Sequence, residues 1–99
     1  MPEASFSSKG TTYDLEERTL FFAKRVRAFV KRLPRSNGNL EDIPQLIRSS
    51  GSVAANYIEA NEALGKKDFL MRIRISLKES KESSLWLKLC DFPVELQTE

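Results

Sequence analysis

The chain has no histidine among its 99 residues, and it has one cysteine. Without histidine it lacks the usual general base of enzymes and the commonest metal ligand. A lone cysteine, Cys90, cannot form a disulfide within the chain, and nothing indicates an oxidising compartment. The internal glycines Gly38, Gly51 and Gly65 stand apart, so no phosphate-binding loop is present. The sequence therefore gives no reason to expect an enzyme, a cofactor or a small-molecule substrate.

Long apolar runs are also missing. No stretch approaches the roughly 18 apolar residues of a membrane span, and the polar residues 1–12 lack the apolar core of a signal peptide. We expect residues 1–12 to be a disordered lead and residues 13–99 to form a single helical domain. These absences predict a cytoplasmic protein that does not contact a membrane.

Paired glutamates are present but lack the partner that a metal site needs. Glu59 and Glu62, and likewise Glu79 and Glu82, have the spacing that places two carboxylates on adjacent turns of a helix. Di-metal helical bundles combine such glutamates with a Glu-x-x-His pair, which this chain cannot supply. We therefore predict no metal site.

Apolar residues recur at steps of three and four, and this period predicts helices at about 14–33, 40–64 and 67–90. Pro34 is expected to stop the first helix, Asn39 or Glu41 to cap the second, and Gly65 to end it. No strand pattern competes. Because short connectors reverse the direction of adjacent helices, the sequence predicts an all-α, antiparallel up-and-down helical bundle with three long helices.

The middle of the second helix consists of residues with very small side chains, from Ser49 to Ala55. Glycine inside a helix costs roughly 1 kcal/mol relative to alanine, and serine is a mediocre helix former. A sequence that keeps such residues predicts a helix that its neighbours approach closely, with another backbone near Gly51.

The third helix is apolar on two sides. Its predicted buried stripe consists of Phe69, Ile73, Ser76, Leu77, Ser80, Ser84 and Leu87. The opposite side carries Met71, Ile75, Leu85, Trp86 and Leu89. A fourth helix of the same chain could cover this second side, but the remaining length favours self-association. The predicted oligomer interface comprises Met71, Ile75, Glu79, Glu82, Trp86 and Leu89 with Arg48, Ser52, Asn56 and Glu59 of the second helix. For the polar members, a solvated helix face is the alternative interpretation.

Basic residues cluster at the end of the first helix. Seven lie between Arg18 and Arg35, with no acidic residue among them. Such a patch attracts phosphate backbones, although a solvated helix face has the same composition. The candidate nucleic-acid-binding residues are Lys24, Arg25, Arg27, Lys31, Arg32 and Arg35.

Several segments resemble the four-helix bundle protein family, also called 23S ribosomal RNA intervening-sequence proteins. The matching segments are Tyr13–Thr19, Gln45–Ala63, Lys67–Phe69, Lys78–Ser83 and Trp86-Leu87. The resemblance implies an up-and-down four-helix bundle that assembles as a homopentamer, with no established biochemical activity. Many members are encoded in sequences inserted in bacterial ribosomal RNA genes, so a bacterial protein is implied.

A related fold adds an expectation about partners. The accessory protein of diversity-generating retroelements looks similar; it is a basic pentameric barrel that works with a reverse transcriptase and nucleic acid. This likeness implies RNA or DNA as a partner, at the basic first helix and at Arg48, Arg72 and Arg74. The fourth helix of the family would follow Leu89, so it is expected to be short or missing before Glu99. That departure leaves room for another oligomer, such as a dimer.

The sequence thus predicts a non-catalytic, oligomeric helical-bundle protein that binds RNA or other nucleic acid through its first helix. The alternative is a protein–protein interaction scaffold with no affinity for nucleic acid.

Overall fold

Three α-helices follow one another along the chain. The computed structural model describes residues 12–93, with side chains from residue 15 onward. Helix α1 spans Thr12–Val30, α2 spans Asn37–Asn61 and α3 spans Lys66–Leu89. No strand occurs in this part of the chain. The predicted all-α class is confirmed. Of the predicted disordered lead, only Thr12 lies within the described residues, and it is the first residue of α1.

Both ends of α2 and the end of α1 differ from the predicted ones. Ser36, not Asn39 or Glu41, is the N-cap of α2, and its hydroxyl accepts a hydrogen bond from Asn39 N at 3.2 Å. Helix α2 ends at Asn61, and Gly65 does not terminate it but lies in extended conformation immediately before α3. Helix α1 ends at Val30, because the residues leading to Pro34 are biased away from helical conformation.

The helices run antiparallel and lie side by side. Glu16 near the start of α1 accepts a hydrogen bond from Asn61 at the end of α2. Ser76 and Ser83 of α3 bond to Val53 and Ser49 of α2, in reverse order along the chain. In the described residues, α2 packs on both α1 and α3, and no Cα atom of α1 lies within 8 Å of one in α3. The molecule measures 44 × 31 × 15 Å, so it is twice as wide as it is thick.

A hydrophobic core cluster lies where the end of α1, the start of α2 and the end of α3 meet, and further buried apolar residues continue along α2 to Ala60. Its buried members are Val26, Leu33, Leu46 and Cys90. Partly buried side chains close around them: Phe22, Phe29, Val30, Ile43, Trp86, Leu87 and Phe92. The Phe29 and Phe92 rings meet edge to face, with centroids 6.4 Å apart. This cluster joins α1 to the chain that follows α3.

Away from this cluster, α2 and α3 approach each other through small polar residues. The hydroxyls of Ser49 and Ser83 are 2.8 Å apart and fully buried, and Ser76 donates to the Val53 carbonyl at 2.9 Å. A side-chain bond to a helix carbonyl requires a close helix–helix approach, so the predicted tight packing of α2 is present here. At Gly51 the nearby group differs from the prediction. The Arg27 side chain of α1, rather than a backbone, lies there, and an added Cβ would be 3.6 Å from Nη2.

Candidate functional site

The basic residues predicted to bind nucleic acid all have exposed side chains. Lys24 and Arg25 lie in the middle of α1, and Lys31 and Arg32 lie in the turn that follows it. Arg35 is in the connector to α2. Helix α1 presents them because Ala23 and Val26 turn into the protein and fix the rotation of the helix. These cations therefore lie at the surface from the middle of α1 to the α1–α2 connector.

Arg27 differs from the other members of this group. Its guanidinium donates to the Ala23 carbonyl at 3.4 Å and lies over Gly51 of α2. The Arg27 guanidinium therefore covers the middle of α2 at Gly51, although the residue as a whole remains exposed. Replacing Arg27 would change helix packing as well as surface charge, so Lys24 and Lys31 are the cleaner probes of this surface.

An exposed aromatic ring extends the basic surface toward the start of α1. Phe21 is 61% exposed, more than any other aromatic side chain of the described residues. The Arg25 guanidinium carbon lies 6.0 Å from the centre of the Phe21 ring, within the range of a cation–π contact. Leu20 beside it is also exposed. The basic composition predicts phosphate binding, and the structure places the exposed apolar side chains of Phe21 and Leu20 beside the cations.

Arg48, Ser52, Asn56, Glu79 and Glu82 of the predicted oligomer interface lie with Arg72 along one side of the α2–α3 pair, a line of contacts that we call the polar seam. Arg48 lies 3.6 Å from Glu79 and 3.4 Å from Glu82. Two turns along, Arg72 donates to Asn56 Oδ1 at 3.1 Å, and Asn56 donates to the backbone and hydroxyl of Ser52. The seam therefore links the two helices within one chain.

Glu79 is the most constrained member of the polar seam. It is 8% exposed, and its Oε1 has no hydrogen-bond partner in the described part of the chain. Arg48 faces it at ion-pair distance but is itself half exposed. Burying a carboxyl oxygen without a hydrogen-bond partner is costly, because the hydrogen bonds that it makes to water are not replaced.

The predicted facing of α3 is wrong at several positions. Glu79 and Trp86 were placed away from the buried stripe, but Glu79 is buried and Trp86 packs on the core cluster. Conversely, Phe69, Leu77 and Ser84 were predicted to be buried and are exposed. The physical reason is that the contact with α2 uses small and polar residues, which hydrophobic periodicity does not detect.

The remaining predicted interface residues lie mainly at the surface. Met71 and Leu89 are exposed, Ile75 is half-buried, and Glu59 on α2 is exposed. The structure thus divides the ten predicted positions among the intrachain polar seam, the apolar outer side of α3 (Met71, Ile75 and Leu89), the core cluster (Trp86) and the exposed surface of α2 (Glu59). Leu85 belongs to this outer side.

Sequence reasoning missed the role of Asn39. This residue is fully buried, and its amide donates to the carbonyls of Pro34 at 2.9 Å and Asp91 at 2.8 Å. Asp91 N donates back to Asn39 Oδ1 at 2.8 Å. Ser36 Oγ donates to Asp91 Oδ2 at 3.0 Å. We call this set the Asn39 clamp. It holds the α1–α2 connector against the end of α3.

Cys90 shows no sign of being a nucleophile. Its side chain is buried beside the core cluster, and burial raises the pKa of the thiol, with Asp42 and Asp91 adding to the rise. A raised pKa keeps the thiol protonated and unreactive. In residues 12–93, no group of three or more histidine, cysteine or acidic side chains could hold a metal ion.

None of the three helices in residues 12–93 is long and apolar enough to cross a membrane.

A profile of the 23S rRNA-intervening sequence protein family matches residues 12–92, which is most of the chain and includes all three helices. The chain belongs to this family. No curated protein and no solved structure gives a significant match. In this family member, the basic end of α1 and the polar seam both lie inside the matched region.

Proposed function

We propose that this member of the 23S rRNA-intervening sequence protein family is a non-catalytic RNA-binding protein that acts as a homo-oligomer. The basic end of α1 carries the proposal. Its cations are exposed, and no acidic residue interrupts them between Arg18 and Arg35. The family description refers to the intervening sequence of 23S rRNA, so RNA is the nucleic acid to test first.

Phosphate contacts would supply most of the affinity. Lysine and arginine side chains displace counterions condensed on the RNA, and binding weakens with salt in proportion to the number of phosphates contacted. If all six candidate residues engage phosphates, the slope of log K against log salt is about −4 to −5. Contacts of this kind carry no sequence information, so binding is expected to tolerate sequence changes.

Charge reversal at matched positions tests the RNA-binding proposal. We expect Lys24→Glu/Lys31→Glu to weaken RNA binding by tenfold or more in fluorescence anisotropy at about 50 mM salt. Lys66→Glu/Lys67→Glu makes the same change in net charge at exposed positions that begin α3, and we expect a much smaller effect. Equal losses for the two variants would mean that net charge alone attracts RNA. A native chain that retains no RNA at this salt would overturn the proposal.

A protein–protein scaffold without RNA affinity is the second candidate. It is supported by the outer side of α3, where Met71, Leu85 and Leu89 are each about half exposed along one helix. Apolar side chains aligned in this way favour contact with another protein surface, here a second copy of the chain. Both candidates therefore include self-association and differ in whether RNA binds.

Light scattering coupled to size-exclusion chromatography tests the self-association. The native chain should elute at a multiple of 11.3 kDa. Met71→Asp should reduce that mass while the helical signal is retained. Leu40→Asp changes a residue of similar exposure at the start of α2 and should leave the mass unchanged. A native protein that elutes as a monomer would contradict the assembly.

A further inference from the structure

The outward face of α1 combines an aromatic ring with cations in one line. Phe21, Arg25 and Ala28 follow at steps of four and three, so they share a face, and Lys24 flanks them. All four side chains are exposed, and the buried residues Ala23 and Val26 lie on the other side of the helix. Ala28, two turns from Phe21 and beyond Arg25, has a small side chain that leaves this end of the face open.

Phe21, which is 61% exposed, and the neighbouring Arg25 present an apolar ring and a positive charge to the same ligand. Flat nucleobases stack on aromatic rings regardless of their identity, and the guanidinium of arginine offers a second planar surface. The phosphates between successive bases are anions, which matches the charge of Lys24 and Arg25. The ring and the cations thus complement the two components of a nucleotide.

We propose that this face of α1 binds unpaired nucleotides, in an RNA loop or single strand, and that Phe21 is the platform on which a base stacks. The inference rests on the RNA binding proposed above and specifies the class of RNA. In a duplex the bases already stack on one another and their faces are closed, so Phe21 would contact only the backbone. An RNA with unpaired bases gains from both the ring and the cations.

The test uses the full chain and Phe21→Leu, which keeps an apolar side chain but removes the aromatic ring. The probes are an unstructured RNA of about 16 nucleotides and the same strand annealed to its complement. Phe69→Leu on α3 is the matched control, because it makes the same substitution at another exposed phenylalanine on a helix that does not pack on α1. Circular dichroism establishes that each variant is folded.

We expect Phe21→Leu to weaken binding of the single strand by about fivefold or more, as for the loss of one stacked base, and binding of the duplex by less than about twofold. Phe21→Trp keeps an aromatic ring and should therefore bind the single strand as well as the native chain does. Phe69→Leu should change the affinity for neither the single strand nor the duplex. Equal effects of Phe21→Leu on both probes, or none, overturn the inference but leave RNA binding intact. A change in oligomeric mass on Phe21→Leu assigns the ring to a second copy instead and also overturns it. A native chain that binds neither probe defeats the proposed function and this inference together.

Discussion

Replacing Asn39 by alanine should markedly lower the temperature at which the protein unfolds. The substitution removes the three hydrogen bonds made by the Asn39 amide, at 2.9, 2.8 and 2.8 Å, from a position with no solvent exposure. Each such bond contributes roughly 1 kcal/mol net. The Pro34 and Asp91 residues that lose a partner are exposed, so water can reach them and limit the penalty. We expect a loss of about 2–4 kcal/mol in the free energy of unfolding.

Thermal unfolding followed by circular dichroism measures this loss. For a domain of this size, 1 kcal/mol corresponds to roughly 4–8 °C in Tm, so the expected fall is easily resolved. Asn37→Ala is the control, since it removes the same side chain from an exposed position in the same helical turn. A second readout is the labelling rate of the Cys90 thiol, which is buried next to Asp91 and should become accessible when the Asn39 clamp is lost. If Asn39→Ala and Asn37→Ala unfold within a degree or two of each other, the clamp does not hold the connector to α3.

Two further predictions concern α2. Gly51→Ala should raise the free energy of unfolding by about 0.5–1 kcal/mol, because alanine favours a helix more than glycine does. No clash should offset this gain, since the new Cβ lies 3.6 Å from Arg27 Nη2, an ordinary contact distance. A variant that is less stable than the native chain in urea unfolding would show that α1 cannot accommodate a methyl group there. Arg48→Ala should cost about 1–2 kcal/mol, because it leaves the buried Glu79 without a cation. Adding Glu79→Gln should recover most of that loss, and a double variant no more stable than Arg48→Ala would refute the assigned pairing.

The sequence predicted helices well where hydrophobic periodicity and stop signals coincide. The bounds of α3 agree within one residue. In α2, the apolar period predicts a buried stripe of Ile43, Leu46, Ser50, Val53, Ala54, Tyr57, Asn61 and Leu64. Leu46, Ser50, Val53, Ala54 and Tyr57 are buried, Ile43 and Asn61 are half-buried, and Leu64, which lies beyond the end of the helix, is exposed. These positions repeat at steps of three and four around large apolar residues, which is the pattern that the hydrophobic effect imposes on a helix with one packed side. Local pattern and tertiary contact agree there.

The facing of α3 could not be derived in the same way. The helix turns Ser76, Glu79 and Ser83 toward α2, although its leucines and Phe69 form the stronger apolar period. A polar stripe can be buried when its hydroxyls form hydrogen bonds across the helix pair. The partners of these hydroxyls lie 23 and 34 residues away in the sequence. Periodicity within one helix carries no information about such partners.

In the candidate sites too, features marked by the local sequence were predictable and those that depend on distant partners were not. Exposed lysines and arginines were predictable, because charged side chains rarely leave water unless they are paired. The Asn39 clamp was not, since the amide bonds a residue 52 positions away and no local pattern marks it. The cation–π contact of Arg25 with Phe21 has the spacing of one helical turn, so a search for aromatic residues among the basic ones would have found it.

The side-by-side arrangement of the helices has a consequence for how the chain folds. Because α1 and α3 each pack against their sequence neighbour α2, most tertiary contacts arise within two helical hairpins that share α2. Local contacts of this kind need little loop closure, and helical proteins rich in them fold in microseconds to milliseconds. The cluster of Val26, Leu33 and Cys90 then fastens the first hairpin to the last residues of the second. We therefore expect the α1–α2 pair to form early during synthesis, and the α2–α3 pair and the core cluster to form later, once the end of α3 and Cys90 have left the ribosome.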